Sequence, residues 1–246
     1  MHREKELNEL VKRLKEAAEE NLSAVVLYGS AATDEFREAH SDLNILCLLN
    51  RVDGAALAKL RPVGLWWWNK GHPTPLVFTL EELLHSADVF AIELLDIKQH
   101  HKMLLGEDVF ADLDVPLTLH RLLVERELRA SVTRLRGAFL RSRGRRSELA
   151  ELMIASASTF ATLFRHSLIA LGEAAPDSRR SAADRLAGII GFDPAAFHTV
   201  LGLREGKGTV RQLNHEEAFG AYLDTVTRVA EKMDRLIASE SLQTIS

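Results

Sequence analysis

The residues best suited to chemistry lie at or within short apolar segments in the first half of the chain. Gly29-Ser30 ends a first apolar segment, Ser41-Asp42 opens a second, and Glu93 lies within a third. A small turn with free backbone N–H groups at a helix start can hold phosphate. Carboxylates from neighbouring strands are hard oxygen ligands that suit Mg²⁺, and bound cations stabilise the reacting oxygens of phosphoryl transfer. The pattern therefore predicts a phosphate site beside a carboxylate site.

Four short apolar segments are predicted to be the strands that position these residues. They are rich in β-branched and aliphatic side chains and cover residues 22–28, 43–49, 76–78 and 89–97. Helices are predicted between them, over residues 2–20, over Gly54 to Trp68 with a kink or break at Pro62, and after Thr79. Side chains two residues apart on a strand point to one face, so positions 42 and 44 are expected to share a face.

The second half of the chain has the pattern of helices alone. Its predicted helices, separated by glycine and proline signals, cover about residues 117–142, 147–172, 179–190, 194–203 and 215–238. Short connections between helices imply antiparallel neighbours, so this half is predicted to be a bundle. The chain is therefore expected to have two domains, residues 1–113 and residues 114–246.

The stretch Tyr28-Gly29-Ser30, followed by Ser41-Asp42-Leu43-Asn44-Ile45, resembles the signature of the polymerase-β-like nucleotidyltransferases. That signature is a Gly-Ser turn and then a strand that begins Ser-Asp-x-Asp or Ser-Asp-x-Glu. The style is similar to that of bacterial antibiotic nucleotidyltransferases and minimal nucleotidyltransferases, and the resemblance covers about residues 20–110. It implies an α+β fold, with a nucleotidyltransferase-type mixed β-sheet and flanking helices in the first domain and an all-α helical bundle in the second.

The resemblance also implies roles for individual residues. A nucleoside triphosphate would be bound by Gly29, Ser30, Ser41 and Asn44. The catalytic and metal-binding carboxylates would be Asp42 and Glu93, with Mg²⁺ as the expected metal. The implied reaction transfers a nucleoside monophosphate from the triphosphate to a hydroxyl group on a small molecule or a protein.

Asn44 departs from this family pattern, which has a carboxylate there. An amide gives a metal one neutral oxygen, and cage charge governs affinity for hard cations, so Asn44 predicts weakened Mg²⁺ binding. Two further hypotheses therefore stay open. The chain could be a catalytically inactive nucleotide-binding or partner-binding module of the same fold. It could also be an RNA-associated helical module that uses the arginine-rich run of residues 134–146.

Composition points to an ordinary soluble protein. The net charge is −4 with both signs mixed, which does not favour a nucleic-acid or membrane partner. Cys47 is the single cysteine, so no intramolecular disulfide forms, and its apolar context predicts a buried thiol. The start of the chain lacks a signal-peptide pattern, and no apolar stretch approaches the roughly 18 residues of a membrane span. We expect a cytoplasmic protein, with a homodimer possible through an apolar face of the bundle.

Overall fold

The computed structural model describes residues 2–32, 43–176, 178–208 and 214–243, which form two compact units, Met1–Pro116 and Leu117–Ser246. The elements of the first unit are α1 (His2–Ala18), β1 (Leu22–Tyr28), a 3₁₀ turn (Gly29–Ala32), β2 (Asn44–Leu49), α2 (Gly54–Asn69), β3 (Leu76–Phe78), α3 (Leu80–His85), α4 (Ala91–Gln99) and β4 (His101–Leu105). The chain has the α+β architecture that its sequence predicts.

The four strands form one mixed sheet in the order β3-β2-β1-β4. β1 pairs antiparallel with both β2 and β4, whereas β2 pairs parallel with β3. The long apolar side chains of α1 pack with alternate residues of β1 and β2, among them Leu27, Ile45 and Cys47. Because side chains alternate along a strand, Tyr28 and Asn44 belong to the opposite face of the sheet.

The register of the sheet brings three strand ends together. Tyr28, the last residue of β1, is paired with Asn44 on one side and with His101 on the other. Gly29 continues this pairing, since its N–H donates to the carbonyl oxygen of His100 at 3.1 Å. The turn after β1 therefore lies beside the first residues of both β2 and β4.

The predicted strand over residues 89–97 is wrong. This segment contains α4, and the strand that pairs with β1 is β4, which starts two residues after α4 ends. The buried residues Ala91, Leu94 and Ile97 recur every three positions, which suits one face of a helix, while Glu93 is exposed. Short apolar runs fit both helices and strands, and here the helical spacing prevails. Glu93 is thus a residue of the first turn of a helix.

Helix α2 has the predicted start but lacks the predicted break. Asp53 caps it, because its Oδ1 accepts a hydrogen bond from the Ala56 N–H at 2.8 Å. The helix continues through Pro62 to Asn69. Pro62 cannot donate to the carbonyl of Ala58, but it is exposed, so water can satisfy that oxygen. Helix α3 begins with the predicted capping box of Thr79 and Glu82.

In the described residues of the second unit, all regular secondary structure is α-helical. It contains α5 (His120–Arg141), α6 (Arg146–Ala170), α7 (Arg179–Ile190), α8 (Ala195–Arg204) and α9 (His215–Gln243). By length and composition alone α6 could cross a membrane, which the sequence analysis did not expect. Half of its most apolar window is buried, and it packs against α5, α7, α8 and α9, as the central helix of a bundle does.

Candidate functional site

Gly29 forms the turn at the carboxyl end of β1. Its φ angle is +76°, in the left-handed region that glycine adopts without strain. A Cβ atom at this position would lie 3.3 Å from Nδ2 of Asn44, so the absence of a side chain lets the amide lie close to the backbone. Glycine is therefore required here both by the backbone angle and by the close approach of Asn44.

Asn44 begins β2 and is half-buried. Its pairing with Tyr28 and its contact with Gly29 place its amide at the end of β1, as the sequence analysis expects of residue 44. A carboxamide there supplies one neutral acceptor oxygen and two N–H donors. The group can bind a phosphate oxygen or a cation, but it adds no negative charge.

Glu93 lies near the same strand end, although a helix rather than a strand carries it. Burial raises the pKa of the half-buried Tyr28 hydroxyl, and the negative charge of Glu93 raises it further. The charge of Glu93 therefore acts on Tyr28, the residue paired with Asn44, while Glu93 itself is exposed. The structure brings Gly29 and Asn44 into contact, and it links Glu93 to them through this effect on Tyr28.

Ser30, Ser41 and Asp42 are the remaining predicted site residues. Ser41 and Asp42 lie outside the described residues. Ser30 belongs to the 3₁₀ turn Gly29–Ala32, which places its backbone directly after β1. The roles predicted for these residues stay predictions.

Strand β4 carries no carboxylate, because its sequence is His-Lys-Met-Leu-Leu. In the family that the sequence resembles, a later strand supplies the third carboxylate, whereas here Glu93 belongs to the helix that precedes the strand. Within residues 2–32, 43–176, 178–208 and 214–243, no three His, Cys, Asp or Glu side chains cluster in a way that could hold a metal ion.

His101 is a residue of this region whose contacts the sequence analysis missed. Its Nδ1 is 2.9 Å from the carbonyl oxygen of Ile97, and its Nε2 is 3.0 Å from Oδ1 of Asp108. Both partners accept hydrogen bonds, so the two bonds form together only when both ring nitrogens carry hydrogen. Burial raises the pKa of Asp108, but the hydrogen bonds from the Phe110 N–H and from the His101 ring outweigh burial, so the pKa is lowered overall.

Cys47 and the three adjacent tryptophans, Trp66, Trp67 and Trp68, differ widely in burial. Cys47 is fully buried, and burial raises the pKa of its thiol to about 12, so it is not a nucleophile at neutral pH. The adjacent tryptophans diverge, as expected on a helix. Trp67 is buried, Trp66 stacks beneath the Arg13 guanidinium at 4.5 Å, and Trp68 is 62% exposed. They do not form one stacking platform.

The six arginines of residues 134–146 are exposed on the last turns of α5 and the start of α6. Arg134 pairs with Glu127 at 3.5 Å, Arg145 pairs with Glu148 at 4.0 Å, and Arg136 donates to Thr227. Exposed ion pairs of this kind are common on solvated helical surfaces.

The structure has the fold of a solved adenyltransferase. The structure is similar to that of the spectinomycin adenyltransferase AAD(9) from Enterococcus faecialis, solved with ATP and spectinomycin, with a TM-score of 0.58. The match covers 93% of this chain and 98% of that chain, at 13% sequence identity. No protein-family model matches the sequence, and no curated protein sequence matches it. The similarity includes the helical half of the chain, for which the sequence offered no residue-level resemblance.

Proposed function

We propose that this protein binds a nucleoside triphosphate at the end of β1 and transfers its nucleoside monophosphate to a hydroxyl acceptor. The proposal is supported by the close approach of Gly29 and Asn44 at the end of β1, in a fold shared with an adenyltransferase, with the charge of Glu93 acting on the adjacent Tyr28. The turn at Gly29 supplies backbone N–H groups for phosphate oxygens. ATP is the first nucleotide to consider, because the similar enzyme was solved with ATP.

Mg²⁺ is the expected metal, and the predicted ligands suit it but would bind it more weakly than three carboxylates would. Asp42, Asn44 and Glu93 would hold the ion, giving two carboxylates and one neutral amide oxygen, all of them hard ligands. When bound, the ion would neutralise charge on the phosphates. The chain's own residues would then orient the nucleotide, with the Gly29 turn on the phosphates and Asn44 beside it. Loss of one negative charge predicts weaker Mg²⁺ binding than a carboxylate at residue 44 would give.

A catalytically inactive nucleotide-binding module is the second candidate function. Two observations favour it, the amide at Asn44 and the absence of a carboxylate in β4. In such a module the phosphate turn persists, while the cation required for transfer is held too weakly to act. The two candidates share a nucleotide site and differ in whether chemistry follows binding.

Calorimetric titration with ATP, with and without Mg²⁺, tests the shared site. We expect binding that Mg²⁺ strengthens and that Asp42→Ala abolishes. Asn44→Asp should strengthen the Mg²⁺-dependent part, whereas Asn69→Asp, which adds the same charge at the end of α2, should leave it unchanged. Equal effects of these two aspartates would refute a role for position 44 in holding the cation.

Release of pyrophosphate separates the two candidates. Spectinomycin is the first acceptor to assay, since the structurally similar enzyme was solved with it, and other hydroxyl-bearing small molecules and proteins follow. Transfer by the natural protein supports the enzyme. ATP binding without pyrophosphate release, together with activity gained in Asn44→Asp, supports the inactive module. If neither the natural protein nor the Asn44→Asp variant binds ATP, the proposed nucleotide site is refuted.

A further inference from the structure

A second concave site lies in the first unit, on the other side of the sheet from the candidate nucleotide site. It is a cavity of about 400 Å³, which falls within the roughly 300–1,000 Å³ of small-molecule pockets. Its lining comes from α1, α2, β2 and β3 and includes Leu14, Cys47, Leu60 and Val77. Cys47 lies three residues after Asn44 on β2, so the two side chains point to opposite faces of the sheet.

The walls of this cavity are almost wholly apolar, and its rim is exposed. Leu65 is 59% exposed and Trp68 is 62% exposed, and both line the cavity from α2. Exposed apolar side chains that are scattered singly are ordinary, but these two converge on one concavity, which is the usual form of a ligand site. An aliphatic or aromatic ligand body would remove both of them from water.

Arg61 is the one charged residue in the lining, and the lining contains no carboxylate. Arg61 forms no ion pair with any residue in the described part of the chain, whereas many other arginines do. A guanidinium group at the edge of an apolar cavity complements an anionic group on an apolar body. The cavity therefore has both an apolar wall and a positive charge at its edge.

The geometry points to a binding site for a small amphiphilic anion, whose apolar body fills the cavity and whose carboxylate or similar group faces Arg61. Such a ligand is chemically unlike a nucleoside triphosphate, which carries several charges and a polar sugar. The site is therefore separate from the nucleotide site in both position and chemistry. Its existence does not depend on whether the protein transfers nucleotides.

Gly64 lines the cavity, so substitutions at this position can either fill the cavity or leave it open. A Cβ atom at Gly64 would lie 3.8 Å from Cγ2 of Thr74, which also lines the cavity, and this is an ordinary contact. Gly64→Ala should therefore leave the cavity open. Gly64→Leu should fill it, and both changes favour helix α2 because glycine is a poor helix former. The alanine variant is the matched control for the leucine variant.

The test uses decanoate and the neutral decan-1-ol as probes, below their aggregation concentrations, with the full-length protein. Binding is followed by tryptophan emission, which Trp68 at the rim should report, and by calorimetry. We expect saturable binding of decanoate that is retained in Gly64→Ala and lost in Gly64→Leu, with circular dichroism showing that both variants fold. Arg61→Gln should weaken decanoate binding by about fivefold, as for an exposed charge pair, and leave decan-1-ol binding unchanged.

Several outcomes would overturn the inference. Absence of saturable binding of both probes is one, and persistent binding in Gly64→Leu is another. An Arg61→Gln variant that binds the two probes as the natural protein does would remove the argument from charge. Sedimentation that shows a dimer dissociated by Gly64→Leu would assign the surface to a second copy of the chain and not to a small ligand.

Discussion

Three glycines with positive φ angles allow the geometry of the candidate site to be tested by one substitution, glycine to alanine. Gly29, Gly71 and Gly106 have φ angles of +76°, +91° and +83°. Alanine in the left-handed region costs roughly 1–2 kcal/mol, so each variant should lose at least that much stability. The three positions differ in what the new methyl group would meet, and this difference separates backbone strain from contact.

At Gly71 a Cβ atom meets nothing within 4 Å, so strain alone applies and Gly71→Ala should cost about 1–2 kcal/mol. At Gly106 it would overlap the backbone oxygen of Ser23 and lie 3.0 Å from Cα of Ala24. Overpacking typically adds about 1–3 kcal/mol, so Gly106→Ala should cost about 2–5 kcal/mol in total. Gly29→Ala should resemble Gly71→Ala in stability, because the side chain of Asn44 can move by a few tenths of an ångström.

The free energy of unfolding in urea and ATP binding by calorimetry are measured for each of these glycine-to-alanine variants. Gly29→Ala should weaken ATP binding because its methyl group displaces the amide of Asn44, whereas Gly71→Ala should leave ATP binding unchanged. The reasoning would be refuted if Gly71→Ala lost as much stability as Gly106→Ala. It would also be refuted if Gly29→Ala bound ATP as the natural protein does.

Three further predictions concern buried and paired groups elsewhere in the chain. Ser156→Ala removes the 2.9 Å hydrogen bond to the buried Tyr222 hydroxyl and should lower the free energy of unfolding by about 1–3 kcal/mol, measured in urea with Thr199→Ala as an exposed control. Cys47, whose pKa is raised to about 12 from 9.0, should not react with a disulfide reagent at pH 8 until the protein is unfolded; rapid reaction in the folded protein would contradict its burial. Asp108 has a lowered pKa, so its stabilising effect should be complete above pH 3.8, the ordinary pKa of this carboxyl group, and should be lost as the pH falls further. Asp108→Asn should reduce this acid sensitivity in urea titrations, and an unchanged pH profile would refute the pairing with His101.

The sequence predicted the first two strands well because their signals are local. The strand predicted over residues 22–28 is present as Leu22–Tyr28, and the one over 43–49 is present as Asn44–Leu49. Each is a short apolar run bounded by polar or glycine residues, and each is buried on both faces, so no helical spacing competes with the strand pattern. The Gly29 turn follows from the same signals.

The segment around Glu93 could not be assigned in the same way. Its apolar residues fit either a strand buried on both faces or a helix with one buried side, and only the tertiary packing decides between them. The true strand, β4, has the sequence His-Lys-Met-Leu-Leu, which carries a weak strand signal on its own and becomes a strand by pairing with β1. The charge of Glu93 acts on Tyr28 although a helix carries this residue, because α4 leads directly into β4, which pairs with β1.

The contacts of His101 could not be predicted from the sequence for a related reason. Its partners, the Ile97 carbonyl and Asp108, are set by the end of α4 and by the turn after β4, and neither boundary can be placed from the sequence. The cavity beside Arg61 depends on packing between α1, α2 and β3 that periodicity does not specify. Sequence patterns predicted the first two strands and the turn after β1, whereas the pairing partners required the tertiary structure.

A crystal structure of the protein with a non-hydrolysable ATP analogue and Mn²⁺ tests the central claim most directly. The account predicts phosphate oxygens at the backbone of the Gly29 turn and an anomalous Mn²⁺ peak within reach of Asp42, Asn44 and Glu93. A nucleotide bound elsewhere, or a manganese ion that contacts neither Asp42 nor Asn44, would contradict it.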